Sequence, residues 1–215
     1  MISNIKNIVF TIFLASISGA ASAHSGGLNK GGCHNEMQGQ FHCHKKFSSA
    51  LTVTPKTKYN RDSWSHWSDF DNDCMNTRHE ILLVQADGPV KRTSNDCSIL
   101  TGTWNDPFSG NTFSLASDLD VDHIIPLKWA SEHGGLKWPA NKKERFANDP
   151  LNLLAVDDSL NQSKGAKGPT QWMPPNHAFR CEYLGLWQSV LSKYSGLKMT
   201  SKENRTFKKQ LAACN

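Results

Sequence analysis

The stretch from Asp118 to Lys167 constrains this chain more than any other. Asp122-His123 stands just before the apolar pair Ile124-Ile125 and Pro126. Asn152 opens the apolar run Leu153-Leu154-Ala155-Val156, and Asn161 follows nine residues after Asn152, close to Lys164-Gly165. A short apolar run between turn residues reads as a buried strand, here Leu151 to Val156. Asp157 or Asp158 then offers the side-chain oxygen that caps a helix presenting Asn161. The residue types carry chemistry as well as shape. A carboxylate and a neutral amide oxygen are hard ligands suited to a divalent cation, and an adjacent imidazole can take a proton from water near neutral pH. This is the order of groups that a one-metal phosphodiesterase needs.

The front of the chain reads as an address. Lys6 precedes an apolar run from Ile8 to Ile17, and Ala21-Ser22-Ala23 supplies small residues where a signal peptidase would cut, so residues 1–23 read as a secretory signal. That apolar run is too short to span a bilayer comfortably, and nothing later is apolar enough to be a transmembrane helix. The expectation is a secreted or periplasmic protein with no stable membrane association once the signal is removed. All six cysteines, Cys33, Cys43, Cys74, Cys97, Cys181 and Cys214, follow the signal, and an even count in an exported chain favours disulfides while leaving the pairing open.

Residues 24–44 are rich in Gly, His and Cys and poor in core residues, which predicts a small separate unit; residues 45–58 read as a linker, and the main domain begins at Tyr59 and runs to Asn215. Cys33, His34, His42, Cys43 and His44 are Zn²⁺ ligand types, but their spacing is not that of a standard finger. In an oxidising compartment a disulfide between Cys33 and Cys43, with exposed histidines, is the better reading. Trp64, Trp67 and Phe70 recur at helical spacing as a core-facing stripe, and Thr77 with Glu80 forms a capping-box pattern for a helix running to about Ala86. Ser98 to Trp104 and Asn111 to Leu115 predict a hairpin that leads into the strand carrying Asp122-His123. Helices are expected over Ile125 to Glu132, Ala140 to Ala147 and Asn176 or His177 to Ser195. A last helix should start at Thr200, with Glu203 completing its capping box, and end near Cys214.

The formal charge of +5 is a weak pull on a polyanion, and its distribution matters more. Asp69, Asp71 and Asp73 gather in one place and Asp118, Asp120 and Asp122 in another. Lys142, Lys143, Arg145, Lys164 and Lys167 flank the proposed site.

The Asp122-His123, Asn152 and Asn161 positions resemble those of the HNH endonucleases of the ββα-metal superfamily. The pieces Cys74 to Arg78, Gly102 to Trp104, Pro107 to Gly110, Arg145 to Asp149, Asn161 to Gly165, Trp172 to Pro175 and the closing Cys214 extend the likeness. Together they resemble the secreted branch related to the C-terminal nuclease domain of GmrSD-type restriction enzymes, over Tyr59 to Asn215. Residues 24–44 are similar to the short YHYH modules of exported bacterial proteins, with Phe41 in place of a Tyr. The resemblance implies an α+β fold with a ββα-metal (HNH) core, additional helices and disulfide staples. Together with order along the chain it pairs Cys74 with Cys97 and Cys181 with Cys214, leaving Cys33 for Cys43. It implies His123 as the general base, Asn152 on the facing strand orienting the imidazole, and Asp122 with Asn161 holding one divalent cation, Mg²⁺ with Mn²⁺ able to replace it. Arg145, Lys164 and Lys167 are weaker candidates for phosphate contact. The implied activity is hydrolysis of DNA, with RNA as a possible second substrate and little sequence specificity, since no reader helix for the major groove is recognisable. The rival expectation is an exported nucleic-acid-binding or metal-binding protein without catalysis.

Overall fold

Strand alternation builds the centre of the molecule. The computed structural model describes residues 58–214 and the backbone of two short strands ahead of them. These are β1 (Cys33–Asn35) and β2 (Phe41–Cys43), an antiparallel pair whose register sets Cys33 across from Cys43. The side chains of that hairpin lie outside the described residues, and so do the signal, nearly all of the linker and the Zn²⁺ expectation for residues 24–44.

From Tyr59 to Met75 the chain runs in turns, and the helix suggested by Trp64, Trp67 and Phe70 does not form. A single 3₁₀ turn, Arg61–Ser63, is capped by the Asn60 side chain, and Trp67, Asn72 and Cys74 take positive φ values of 58°, 60° and 75°. Short acidic side chains win the local competition for backbone N–H groups: Asp69 accepts from Asn72 and Cys74, and Asp73 accepts from Met75. Trp64 and Phe70 are nonetheless fully buried. Helix α1 (Thr77–Val84) is capped by Asn76 rather than Thr77. The Asn76 side chain accepts from His79 N–H, while the Thr77 hydroxyl donates to the Ser68 carbonyl.

The expected hairpin forms as β4 (Ile99–Asn105) and β5 (Thr112–Leu115), with β3 (Lys91–Arg92) on the other edge of β4. Its turn is tied by Asp106, which accepts from Phe108 and Ser109 N–H. β6 (Leu119–His123) follows, then α2 (Leu127–Glu132), α3 (Ala140–Ala147), β7 (Leu153–Asp157) and α4 (Asp158–Lys164). α5 (Arg180–Lys193) and α6 (Ser201–Ala212) close the domain, the latter with the Thr200–Glu203 capping box complete. A 3₁₀ turn, His177–Phe179, capped by Asn176, precedes α5, which therefore starts later than the sequence suggests.

β6 and β7 pair antiparallel, with Asp122 opposite Leu154 and His123 opposite Leu153. Successive side chains point to opposite faces of a strand. Leu119 and Val121 of β6, with Leu153 and Ala155 of β7, pack with Ile81, Leu82 and Trp104 into one apolar cluster. Asp120 and Asp122, alternate to them, face α4. A second cluster gathers Ile124, Ile125, Val156, Trp129, Tyr183 and Trp187. Each such large side chain contributes about 1.5–3 kcal/mol on burial. The free edge of β7 is covered by one side chain: Gln85 donates to the Leu153 carbonyl and accepts from Ala155 N–H.

Disulfides join Cys74 to Cys97 and Cys181 to Cys214, with Cα atoms 5.0 and 5.5 Å apart. The first ties the turn-rich entry segment to the strand connection before β4, and the second ties the start of α5 to the end of α6. The architecture is α+β, with β6, β7 and α4 as a strand, strand, helix unit at its centre. No helix of the described residues is long and apolar enough to cross a membrane.

Candidate active site

The end of β6, the start of α2 and the helix α4 line an open cleft of about 380 Å³. Tyr59, Arg61, Asp122, His123, Lys128, Asn161 and Gln162 contribute to its lining. Three of the four residues assigned from sequence, Asp122, His123 and Asn161, therefore meet in one place.

His123 is buried at the strand end. Its Nε2–H donates to the Ala147 carbonyl at 2.8 Å. Because a carbonyl only accepts, that bond fixes the tautomer and leaves Nδ1 with its lone pair free of protein partners among the described residues. Burial is the main force lowering the His123 pKa to about 3, with the nearby positive charge of Arg61 acting in the same sense and the Ala147 carbonyl opposing. The ring is thus held neutral across the physiological range. Trp67 lies over it, ring centroids 5.6 Å apart and planes 26° from parallel.

Asp122 is buried and meets a cation supplied by the fold itself. Lys164 Nζ donates to Asp122 Oδ1 at 2.9 Å and to the His123 carbonyl at 2.8 Å. Oδ2 lies equally close to Nζ, at 2.9 Å, so the ammonium compensates the charge of both carboxylate oxygens. Burial pushes the Asp122 pKa up to about 6, against the pull of Lys164. Lys164 itself is fully buried, which corrects the expectation of a phosphate contact: its ammonium is spent inside the protein.

Asn161 sits on α4 and donates its amide N–H to Asp120 at 2.8 Å, which leaves its carbonyl oxygen uncommitted among the described residues. Asp157, not Asp158, caps this helix by accepting from Leu160 N–H. Asn152 departs from its expected role. It lies in the 3₁₀ turn Pro150–Asn152 just before β7, fully buried, and does not bond His123. Its Oδ1 accepts from Ile125 N–H, and its amide donates to the Ile125 and Phe146 carbonyls. It thereby sews the chain following His123 to the end of α3, next to the Ala147 carbonyl that receives the imidazole. Its influence on His123 passes through backbone.

The remaining candidates lie apart. Arg145 is half-buried on α3, outside the residues lining the cleft, and Lys167 is exposed, its Nζ donating to the Ser163 carbonyl at 2.6 Å. Conversely, sequence reasoning passed over Arg61, His66 and Trp67. They reach His123 from more than fifty residues away in the chain, and the only signal was a dense Trp-Ser-His-Trp run three residues beyond an Arg.

Residues 75–208, more than half of the chain, match the family described as GmrSD restriction endonucleases, C-terminal domain. A protein of Arthroderma benhamiae, named as an uncharacterized secreted protein, is 37% identical over 171 residues, covering 77% of this chain and 82% of the relative. No solved structure matches. The matched segment carries β6, β7 and α4 together with Asp122, His123, Asn152 and Asn161, and the chain belongs to the family of GmrSD restriction endonuclease C-terminal domains.

Proposed function

We propose that the protein is an exported, divalent-cation-dependent endonuclease that hydrolyses DNA phosphodiester bonds with little sequence preference. The observation that carries this reading is the committed tautomer of His123: Nε2–H is tied to the Ala147 carbonyl, and Nδ1 keeps its lone pair on a neutral ring that lines a cleft with Asp122 and Asn161. A neutral imidazole so fixed is a general base for water. Water as nucleophile makes no use of a 2′-hydroxyl, which supports DNA as substrate.

A cation fits the donors present. The Asp122 carboxylate and the uncommitted Asn161 carbonyl oxygen belong to residues lining the same cleft, and both supply hard oxygens of the kind Mg²⁺ and Mn²⁺ take. When bound, the cation would offset charge on a phosphate oxygen and on the departing oxygen. Asp122 and Asn161 would hold it, His123 would accept the proton of the attacking water at Nδ1, and Asn152 would keep the backbone around the imidazole in register. Export is supported by the two disulfides, by the N-terminal signal pattern and by the relative named as secreted.

One observation favours a second reading. Lys164 already neutralises Asp122, so the same fold could bind nucleic acid with its own internal cation and no catalysis. Supercoiled plasmid and RNA incubated with the oxidised mature protein, with Mg²⁺ and with EDTA, separate the two. The nuclease reading expects cleavage that stops on chelation and falls about 10²–10⁴-fold in His123→Ala, beyond what the variant's folded fraction explains. Binding without cleavage under every condition would overturn it.

A further inference from the structure

Tyr59 and Arg61 precede the family-matched segment, yet they line the same cleft as Asp122, His123 and Asn161. Charge in that cleft is unbalanced. Asp122 is offset by the buried Lys164 ammonium, and Lys128 is only loosely paired with Glu132, 4.0 Å away on the same helix. The Arg61 guanidinium meets neutral groups, the Tyr59 hydroxyl beside it and Nε2 of His66 at 3.5 Å, and no carboxylate pairs with it among the described residues. Among the described residues the Arg61 guanidinium on the cleft wall has no carboxylate partner, which suits that wall to an anionic ligand.

An exposed Arg is ordinarily a loose surface charge, but the backbone beneath this one is fixed. The Asn60 carbonyl accepts from Ser63 N–H and from its hydroxyl, and Trp64 N–H donates to the Arg61 carbonyl at 2.9 Å. Trp64 is fully buried against Trp138 and Phe146. Further along, Ser68 N–H donates to Asn148 Oδ1 and the Ser68 hydroxyl to Glu144, while the Asn148 amide donates to the Ser65 carbonyl. The turn is therefore pinned to α3, the helix whose last carbonyl holds His123, and the reach of Arg61 to the imidazole is set by the same scaffold. A guanidinium offers a planar fork of donors that matches two oxygens of one phosphate.

We propose that Arg61 grips non-bridging phosphate oxygens of the nucleic acid held across His123, which makes residues 59–67 the substrate-facing wall of the site. The proposal rests on the nuclease reading above and assigns a contact outside the family-matched segment. It is tested in the full mature chain with Arg61→Ala and Arg61→Lys, each also placed in His123→Ala for binding measurements. A labelled duplex is titrated by fluorescence anisotropy across a salt series, and plasmid cleavage is followed at steady state. Arg61→Ala should lower kcat/KM by about tenfold or more and reduce the slope of log affinity against log salt by about 0.9, one phosphate contact. Arg61→Lys should restore the slope but only part of kcat/KM, because the fork is lost while the charge remains. An Arg61→Ala protein that binds and cuts like the parent with an unchanged slope, beside an inactive His123→Ala, overturns the proposal and leaves the nuclease reading standing. A loss of activity matched by a loss of folded fraction, read by circular dichroism, also overturns it. A parent protein that does not cut, or a His123→Ala protein that cuts at the parent rate, removes the nuclease reading and this proposal with it.

Discussion

Replacing Lys164 by Met tests the centre of the molecule most directly. The ammonium lies 2.9 Å from both oxygens of Asp122, and the two side chains are 0% and 5% exposed. Met preserves the apolar stem and removes the charge together with the ammonium's hydrogen bonds to Asp122 and to the His123 carbonyl. Breaking a buried pair by deleting one partner leaves the other charge desolvated and costs about 3–5 kcal/mol. For a chain of this size that corresponds to a melting temperature lower by roughly 6–20 °C. Asp122 has a way to relieve the cost, since burial already holds its pKa at about 6 with Lys164 present, and removing the ammonium drives it higher still. The variant's native state then keeps a proton that the parent lacks at pH 7, so the penalty should shrink by about 1 kcal/mol between pH 7 and pH 5. Asp122→Asn combined with Lys164→Met removes both charges and should return to within about 1–2 kcal/mol of the parent. Urea unfolding in chelated buffer at the two pH values measures all of this. Adding Mg²⁺ or Mn²⁺ provides a further readout. With its internal competitor gone, Asp122 should respond more strongly, and the cation should raise the melting temperature of Lys164→Met more than that of the parent. A Lys164→Met protein that loses under about 1 kcal/mol, equally at both pH values, would refute the picture of a desolvated pair.

Three further outcomes follow from the same geometry. His123 is held neutral with its pKa lowered to about 3, so the fold binds no proton there while the unfolded chain does below about pH 6.5; stability from this group is present above that pH and lost as pH falls. The stability difference between parent and His123→Ala should therefore move by about 2 kcal/mol in favour of the variant from pH 7 to pH 5, and equal differences would exclude a buried neutral ring. Asn152→Ala should cost about 2–4 kcal/mol in urea unfolding, because three backbone groups of Ile125 and Phe146 lose their partner, and it should slow cleavage more than its folded fraction explains. Replacing the Cys181–Cys214 pair by Ala should destabilise by about 2–4 kcal/mol and expose α6 to proteases first, which limited proteolysis with mass spectrometry would show. Free thiols at those positions in the native exported protein would contradict it.

The parts of the structure legible in the sequence are those decided within a few residues. An apolar run bounded by turn formers gave β7, the Asp157-Asp158 pair gave the start of α4 without deciding which of the two caps it, and Thr200 with Glu203 gave the start of α6. The parts that were not legible are set by contacts from afar. Trp64, Trp67 and Phe70 have helical spacing, but the carboxylates of Asp69 and Asp73 capture backbone amides as turns, and nothing local reveals that this turn carries Trp67 onto His123. Asn152 stands where a strand begins, and only the approach of Ile125 and Phe146 decides what its amide binds. Lys164 is different, because the signal was present and read the wrong way. On a helix, residues three apart share a face. If Asn161 is aimed at the carboxylates of β6, then Lys164 is aimed there too, one turn deeper. A lysine on the inward face of a short helix, opposite a strand bearing Asp120 and Asp122, has no route to solvent and must pair with one of them. The pattern of an amide and a cation three residues apart on the helix, facing carboxylates two apart on the strand, therefore specifies which pair bonds: Asn161 takes Asp120 and Lys164 takes Asp122.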